Sequence, residues 1–440
     1  MAKEASSCDF SKLTGETSLH GIRFIGNKEI ATTRRCLWII LVSSSILILS
    51  FTLYLSISKY YSFPVTTVIS IYPNKMIAFP AVTFCNYNQI RASKLSEEEK
   101  YFFDHFRESS FNITPYNNLN FTEMLYKLSH PIEDILVHCL WQFYYPCGPE
   151  NFTTHLYDFG VCYTFNGNSN RPLNIVNAGS RSGLKLQIDI NQTECTDATD
   201  EAAGIKMLIH PQDEHPLVTT YGFSIAPGFL TQIALTGVYI KNLPDPYPSN
   251  CTNKPLKYSN VYTEALCIDE CKSEYVAEKC GCRHSTMLGD VPECSPEDAI
   301  KCAYYEDVKF FSAGDAHCDC PIACKQMFYN KRVSSAAWPS KTKAEKMQAE
   351  HGYTAEYISE NLLEVAIYFE ELSFQVTEEV AAYSRLQLFS EIGGNMGLLC
   401  GMSIITVIEF LEFGIIAAIQ RFCRGKNNKV TNPINVSTTK

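Results

Sequence analysis

The chain has 440 residues, of which 46% are hydrophobic, and its formal net charge is −10. This length exceeds that of one ordinary domain, and the negative charge excludes a nucleic-acid-binding protein, which needs a basic surface. No nucleophile–base set and no metal-binding motif stands out, so the sequence indicates neither an enzyme nor a cofactor.

Residues 1–35 carry a charge of +2, and an apolar segment without charged side chains follows at residues 36–58. As a helix with a rise of ~1.5 Å per residue, these 23 residues cross the ~30 Å hydrocarbon core of a bilayer. The segment starts too far from Met1 and is too long to be a cleaved signal peptide. The sequence therefore predicts a first transmembrane helix over residues 36–58.

Residues 59–388 are predicted to form an extracellular domain of mixed helix and sheet. The hydrophobic pattern along this domain changes between the alternation typical of strands and the spacing typical of helices. The predicted elements are a strand at 65–72, a helical region over 95–140, strands from Gly183, a helix over 264–280 and a strand over 362–377. The last of these strands leads almost directly into a second apolar segment, so motion of the domain can be transmitted to the membrane.

Cysteines are concentrated in the extracellular domain, where 15 of the 19 lie between Cys85 and Cys324. Such a density in an outward-facing domain predicts a disulfide framework. A metal site at the CGC (280–282) or CDC (318–320) sequence is the alternative, but no matched histidine pair accompanies these cysteines.

The same domain contains N-glycosylation sequons, which predict glycans on its surface. The five acceptors are Asn112, Asn120, Asn151, Asn191 and Asn250. A sixth sequon, at Asn435, lies in the predicted cytoplasmic tail and is expected to stay unmodified.

Residues 389–419 are predicted to form a second transmembrane helix, which would line a pore. Its glycines recur every four residues and form a strip that allows close helix packing, at Gly393, Gly397 and Gly401. On a continuous helix, Glu391 and Glu409 point in the same direction, because 18 residues make five turns.

Glu409 and Glu412 lie deep in this second segment. A carboxylate at the centre of a membrane helix costs at least ~2.5–3.5 kcal/mol, so it usually faces water or a partner. One explanation is that both side chains snorkel towards the inner interface. The other is an aqueous pore in which rings of carboxylates attract cations, and such a pore must be shared by several subunits.

The charges that flank the two spans predict their orientation. Arg34 and Arg35 precede the first span, and residues 420–440 after the second carry +5. The positive-inside rule therefore places both termini in the cytoplasm of a multi-pass plasma-membrane protein. After these terminal charges and the two membrane glutamates are subtracted from −10, the extracellular domain carries about −15, which attracts cations.

Several motifs together resemble the degenerin/epithelial sodium channel superfamily, nearest in pattern to its acid-sensing and peptide-gated branches. They are His20-Gly21, FPAVTFCN (79–86), GVCYTFN (160–166), APGF (226–229), the cysteine cluster and IGGNMGLLCGMS (392–403). The resemblance implies an α+β membrane protein with two transmembrane helices flanking a large disulfide-rich extracellular domain. In that family the domain has a β-sheet palm and a β-ball, with helical finger, thumb and knuckle. The resemblance also implies an amiloride-sensitive sodium channel built as a homotrimer or heterotrimer.

The resemblance assigns roles to two motifs near the membrane. His20 and Gly21 match a His-Gly motif that shapes the pore and its gating. Gly401, Met402 and Ser403 align with a Gly-small-Ser selectivity filter. Met402 departs from the usual small residue, and its larger side chain would alter backbone packing at the narrowest point, which would relax sodium selectivity.

Further pore positions follow from the same resemblance. Ser390 occupies the position at which bulky substitutions hold such channels open. Glu391 matches an acidic ring at the outer mouth, which would also concentrate Ca²⁺ and lead to its permeation or to block. Glu409 and Glu412 match acidic positions deeper in the pore.

The resemblance, rather than the spacing, also implies seven disulfides. They are Cys85–Cys162, Cys139–Cys147, Cys251–Cys324, Cys267–Cys320, Cys271–Cys318, Cys280–Cys302 and Cys282–Cys294. Cys195 is left without a partner in this scheme, as a free thiol or the donor of an intersubunit bond.

The stimulus that opens the channel is predicted from the acidic pair Asp213 and Glu214. In acid-sensing relatives this pair forms one side of an acidic pocket, but the facing position here is Tyr304. Lone surface acids titrate near pH ~4 and make poor sensors near neutral pH. The sequence therefore favours an extracellular cationic neuropeptide as the agonist. Proton gating is the alternative within the family, and a two-span scavenger or adhesion receptor without a pore is the alternative of another class.

Two histidines, His210 and His215, flank the acidic pair. A pH-sensing role is one interpretation, since histidine titrates near neutral pH. Ordinary solvated histidines are the favoured interpretation.

Overall fold

The computed structural model describes residues 17, 19–27, 29–106, 108, 111–196, 202–313 and 318–427. The chain divides into two compact units. We call Met1–Thr66 together with Ala381–Lys440 the membrane unit, and Thr67–Val380 the outer unit.

The α-helices of the described residues are distributed over both units. They are α1 (Ile22–Gly26), α2 (Thr32–Tyr61), α3 (Glu97–His105), α4 (Phe121–Leu128), α5 (Ile132–Ile135), α6 (Val218–Tyr221), α7 (Glu264–Cys280), α8 (Pro296–Asp298), α9 (Tyr304–Ala313), α10 (Lys341–His351), α11 (Ala355–Asn361), α12 (Arg385–Cys400) and α13 (Ile404–Asn427). Short 3₁₀ turns lie at Ala92–Lys94, Thr114–Tyr116, Pro149–Asn151 and Gln192–Glu194, and a π turn at Ala299–Ala303.

The strands belong mostly to the outer unit. They are β1 (Val65–Pro73), β2 (Ile77–Ala78), β3 (Ala81–Asn86), β4 (Leu136–Trp141), β5 (Tyr145–Pro146), β6 (Phe152–Tyr157), β7 (Gly160–Phe165), β8 (Asn174–Ile175), β9 (Leu184–Asp189), β10 (Ile205–His210), β11 (Phe223–Ile225), β12 (Phe229–Lys241), β13 (Lys325–Ala337) and β14 (Leu362–Ala381).

α2 is long and apolar enough to cross a membrane. Its 30 residues correspond to ~45 Å of helix, and its mean hydropathy over an 18-residue window is 2.3. Most of its large apolar side chains are exposed, among them Leu47 and Phe51. A helix that is apolar on nearly all sides and not covered by protein fits a lipid environment.

The outer unit is built on a large sheet with the strand order β13-β12-β14-β9-β4-β5, and β1 also pairs with β14. β12 and β14 run parallel, whereas β13 and β9 pair antiparallel with their neighbours. Ile233, Leu235, Val365 and Phe369 from the central strands are buried in the main core. β14 ends at Ala381 and α12 begins at Arg385, so the sheet continues into the second apolar segment through three residues.

A second sheet has the strand order β11-β10-β3-β7-β6. β3 is buried along its whole length, which explains the continuous apolar pattern of FPAVTF. Cys85 and Cys162 lie opposite each other on β3 and β7 and are joined by a disulfide. The two sheets, the seven disulfides and the flanking apolar helices confirm the fold class that the family resemblance implied.

The disulfides hold the outer unit together, chiefly around α7. They join Cys85 to Cys162, Cys139 to Cys147, Cys251 to Cys324, Cys267 to Cys320, Cys271 to Cys318, Cys280 to Cys302 and Cys282 to Cys294. These are the seven pairs that the resemblance implied. Cys195 is exposed and forms no disulfide. Each native disulfide of this kind typically contributes ~2–4 kcal/mol of stability.

The sequons of the outer unit differ in accessibility. Asn112, Asn120, Asn151 and Asn250 are exposed, whereas Asn191 is half-buried and its side-chain oxygen accepts a hydrogen bond from Thr193 Oγ1. Four acceptors are therefore open to modification in the folded chain. The sixth sequon, Asn435, lies outside the described residues.

Candidate functional site

The second apolar segment is interrupted at residues 401–403. α12 ends at Gly401, which has a left-handed φ of 65°, the conformation that glycine adopts at helix ends. The N–H of Gly401 donates to Gly397 O (3.0 Å), and the N–H of Met402 donates to Met396 O (3.1 Å). These bonds satisfy the carbonyls of Met396 and Gly397 in the last turn of α12 and terminate the helix.

A new helix begins directly after the interruption. Ser403 Oγ accepts a hydrogen bond from the N–H of Thr406 (3.3 Å), and Thr406 Oγ1 accepts from the N–H of Ser403 (3.1 Å). This reciprocal arrangement caps the N-terminus of α13. α12 and α13 meet at a bend of 77°.

The expectation that Glu391 and Glu409 lie on one continuous helix is therefore wrong. The two glutamates belong to α12 and α13, and their spacing of five turns does not align them across the bend. The sequence pattern that predicts this break is Gly401 followed by Ser403 and Thr406. The glycine ends one helix, and the serine and threonine cap the next. At bilayer depth, irregular backbone is tolerated only where protein covers it or water solvates it.

The His20-Gly21 turn lies against this interruption. The N–H of His20 donates to Cys400 O (3.1 Å), and a Cβ added to Gly401 would lie 2.3 Å from His20 Nδ1. Gly21 has a φ of 83°, and a Cβ there would lie 2.7 Å from Val42 of α2. The turn is thus held between α2 and the end of α12, a contact that neither motif predicts alone.

The other ends of α2 and α12 are also joined. The N–H of Ala382 donates to Pro64 O (2.8 Å), and Lys59 Nζ lies 4.8 Å from the centre of the Tyr383 ring. The hydroxyl of Tyr383 donates to the carboxylate of Glu391. Glu391 is therefore oriented by a tyrosine that lies two residues before α12. Its neighbour Ser390 is exposed.

Glu409 and Glu412 lie in the first half of α13. Glu409 is half-buried and Glu412 is exposed. Residues three apart on a helix are neighbours on one face, so both carboxylates share a face of α13 just beyond the interruption.

In the outer unit, Glu214 lies between two cavities. A cavity of about 220 Å³ is lined by Asp213 and Glu214 together with Tyr239, Tyr262 and Lys325. Another, of about 450 Å³, is lined by Glu214 and by polar side chains that include His210, His215, Tyr221 and Lys331.

Burial, and secondarily the charge of Asp213, raises the pKa of Glu214 to about 7. The sequence-based expectation of an ordinary surface acid is therefore wrong for Glu214, because segments distant in sequence cover its carboxyl. Asp213 is exposed. The pair thus consists of one exposed and one covered carboxyl group.

His210 is buried, contrary to the favoured interpretation of solvated histidines, whereas His215 is half-buried. His210 is 6% exposed; its Nε2 lies 2.8 Å from Thr83 Oγ1, and its Nδ1 donates to Pro211 O (2.8 Å). Burial lowers the pKa of His210 to about 4. His215 packs edge-on against Tyr157, and burial lowers its pKa as well.

A second group of carboxylates lies around a cavity of about 270 Å³ in the outer unit. Asp158 accepts hydrogen bonds from the N–H groups of Val218 (2.9 Å) and Thr219 (2.8 Å). Burial raises the pKa of Asp158, and burial also raises the pKa of Asp307 although Lys272 opposes the shift. The sequence did not predict this group, because its members come from separate segments without a local motif.

Tyr304 lines this 270 Å³ cavity and does not line the 220 Å³ cavity beside Asp213 and Glu214. His284 and Asp269 line the same cavity. The family resemblance placed Tyr304 opposite Asp213 and Glu214. In the structure, Tyr304 instead lies beside the other group of carboxylates.

In chain order, two apolar helical segments, the second of them interrupted and carrying carboxylates, flank a disulfide-rich domain, and this order fits a membrane channel. The family model described as "Amiloride-sensitive sodium channel" matches residues 13–413. The chain therefore belongs to this family of sodium channels, the degenerin/epithelial sodium channel family. It is a channel and not an enzyme, and the alternative of a receptor without a pore is set aside.

Individual relatives agree with this assignment. Acid-sensing ion channel 1A of Danio rerio is 30% identical over 94% of this chain and 89% of its own length. Acid-sensing ion channel 2 of Homo sapiens is 32% identical over 90% of this chain and 84% of its own length. A solved proton-activated chloride channel aligns with 87% of this chain at 9% identity and a TM-score of 0.37, a likeness too low to support an argument.

Proposed function

We propose that this chain is the pore-forming subunit of a sodium channel that opens when extracellular protons bind near Glu214. The observation that carries the proposal is the pKa of Glu214, which burial and Asp213 raise to about 7. The carboxyl group of Glu214 therefore changes charge within the range of a modest extracellular acidification. The 30–32% identity with acid-sensing channels supports the same stimulus.

The carboxyl group of Glu214 titrates near neutral pH, because burial raises its pKa to about 7. His210, with a pKa of about 4, stays neutral above pH 5. Lys325 lines the smaller cavity and Lys331 lines the larger one, and burial lowers the pKa of Lys331. Protonation of Glu214 removes a negative charge beside Asp213. Less negative charge then remains near these lysines, and this change in electrostatic interaction favours rearrangement of the cavity walls.

The cavity beside Glu214 connects to the second span through hydrogen-bonded strands. Gln326 of β13 lines the smaller cavity and pairs with Ile240 of β12, which pairs with Thr377 of β14. Thr377 lies four residues before the end of β14, and α12 begins after a link of three residues. A change at the cavity wall can therefore reach α12 through the sheet.

For the pore, we propose that the interruption at residues 401–403 forms the narrowest part. The backbone carbonyls released by a broken helix are suitable ligands for a permeant cation. The proposed roles are the selectivity filter at Gly401, Met402 and Ser403, cation attraction by Glu391, Glu409 and Glu412, and gating by His20, Gly21 and Ser390. A central pore requires several copies, so we propose a trimer with both termini in the cytoplasm.

Whole-cell recording during steps of extracellular pH tests the proposed stimulus. The Glu214→Gln variant mimics the protonated carboxyl group, so it should open at higher pH than the unmodified chain or carry a standing current. Glu278→Gln is the matched control, because the Glu278 side chain is 77% exposed. A Glu214→Gln channel with unchanged pH dependence would contradict proton sensing at this residue.

A cationic extracellular peptide is a second candidate agonist. The 220 Å³ cavity places Asp213 and Glu214 next to Tyr239 and Tyr262, a combination that suits an ammonium or guanidinium group. Current evoked at constant pH by cationic peptides, and lost in Asp213→Asn, would support this candidate. Current evoked by acid alone would favour protons.

A further inference from the structure

An apolar cavity of about 350 Å³ lies within the membrane unit. It is bounded by one face of α2, by the turn at Leu19 and His20, by the last residues of α12, and by Met402 of the interruption that follows α12. α2 contributes Trp38, Leu41, Val42, Ser45, Ile46 and Leu49. This spacing of three and four residues places all six side chains on one stripe of the helix.

The stripe has the length of one membrane leaflet. From Trp38 to Leu49 a helix rises ~16 Å, which is about half of the ~30 Å hydrocarbon core. The stripe lies mostly in the N-terminal half of α2, and it begins three residues after Arg35. With the N-terminus in the cytoplasm, the cavity lies in the cytoplasmic leaflet.

The cavity is open to the exposed surface of α2. Leu41 and Ile46 both line it and are each 46% exposed, so its wall continues into the exposed surface of the helix. Leu47, which does not line the cavity, is 71% exposed and marks the side that faces lipid.

The lining chemistry favours a hydrocarbon occupant. No Asp, Glu, Lys or Arg side chain lines the cavity among the described residues, and its polar side chains are His20, Ser45, the thiol of Cys400 and the indole N–H of Trp38. Buried water needs ~2–4 polar partners, whereas an apolar cavity of ~150 Å³ stays dry and binds benzene. A volume of about 350 Å³ lies within the range of ordinary ligand pockets.

We propose that this cavity binds one acyl chain of a phospholipid from the cytoplasmic leaflet. The acyl chain of the lipid packs along the stripe of α2 and reaches Cys400, which is only 6% exposed. It therefore contacts both residues whose backbones are joined by the hydrogen bond from His20 N to Cys400 O. The binding does not depend on the stimulus that opens the channel.

Photo-crosslinking of the full-length chain in nanodiscs tests this site. The probe is phosphatidylcholine that carries a diazirine on one acyl chain, and the adducts are mapped by mass spectrometry. Adducts should be several-fold enriched at Trp38, Val42 and Ser45 relative to Leu47. Ser45→Trp fills the cavity and should reduce these adducts several-fold.

Ser44→Trp is the matched control, because Ser44 is exposed on α2 and does not line the cavity. If Ser45→Trp does not yield a stable oligomer, Ser45→Met serves as the milder variant and should show a smaller reduction in the same direction. Equal labelling of the stripe and of Leu47 would overturn the proposal. Cross-links between Cys400 and a second copy of the chain would also overturn it, because a neighbouring subunit would then fill the cavity.

Discussion

The backbone N–H of His20 donates a 3.1 Å hydrogen bond to the carbonyl oxygen of Cys400, the last residue of α12. The bond joins the segment before the first span to the point at which the second span is interrupted. Gly401 follows directly, and its missing Cβ leaves room for the His20 ring. The N-terminal segment therefore supports the geometry of the proposed selectivity filter.

Gly401→Ala should disturb this geometry. Its Cβ would lie 2.3 Å from His20 Nδ1, and a left-handed conformation costs a residue with a Cβ ~1–2 kcal/mol. We expect a large loss of sodium current or of sodium selectivity with surface expression retained. Current and reversal potential are measured by voltage clamp. Gly394→Ala is the control and should behave normally, since its Cβ would have no neighbour within 4 Å.

Glu409→Gln should reduce cation conductance or selectivity. The reason is that the variant removes a negative charge from a half-buried position on α13, where it would attract cations in the proposed pore. Single-channel conductance is the measurement, with surface biotinylation as the control for expression. Unchanged permeation would show that Glu409 does not line the pore.

Ser390→Trp should produce a standing current without agonist. Ser390 is exposed on α12 beside Glu391, so a bulky side chain can be accommodated by the chain itself and would instead hinder closure of the pore. The current is recorded at pH 8, at which the proposed sensor is deprotonated. A variant that reaches the surface and stays silent would show that this alignment of the pore is wrong.

Glu214→Gln should also change the pH dependence of stability. Because the folded pKa of about 7 lies above the ordinary value of 4.5, Glu214 favours the folded state fully below pH ~4.5. This contribution is lost as the pH rises through 7, and it amounts to at most about 3 kcal/mol. The melting temperature of the purified channel should therefore fall less between pH 5 and pH 8 in the variant. Identical curves for both proteins would indicate that the carboxyl group is not buried in solution.

Local features of the sequence were sufficient to predict several elements. The uncharged segment predicted the helix α2, and the apolar spacing of residues 264–280 predicted α7, because both depend on neighbours within a few turns. The strands at 65–72 and 362–377 were predicted for the same reason. Spacing alone leaves disulfide pairing open, so the pairs followed only from the family resemblance.

Features that depend on distant segments were not predicted. Glu214 was interpreted as an exposed acid because the residues that cover it, on β13 and near Tyr262, lie far away in sequence. The carboxylates around Asp158 and Asp307 were not predicted for the same reason, because they come from segments that are distant in sequence. The interruption at Gly401 was different, since its capping residues are visible in the sequence, but the apolar character of the segment favoured one continuous helix.

The most direct test of the account is the current carried by this chain expressed alone in cells. A step from pH 8 to pH 6 should evoke an inward current that disappears when extracellular sodium is replaced and that amiloride blocks. A chain that reaches the cell surface as an oligomer but carries no sodium current in response to acid would contradict proton gating of this channel.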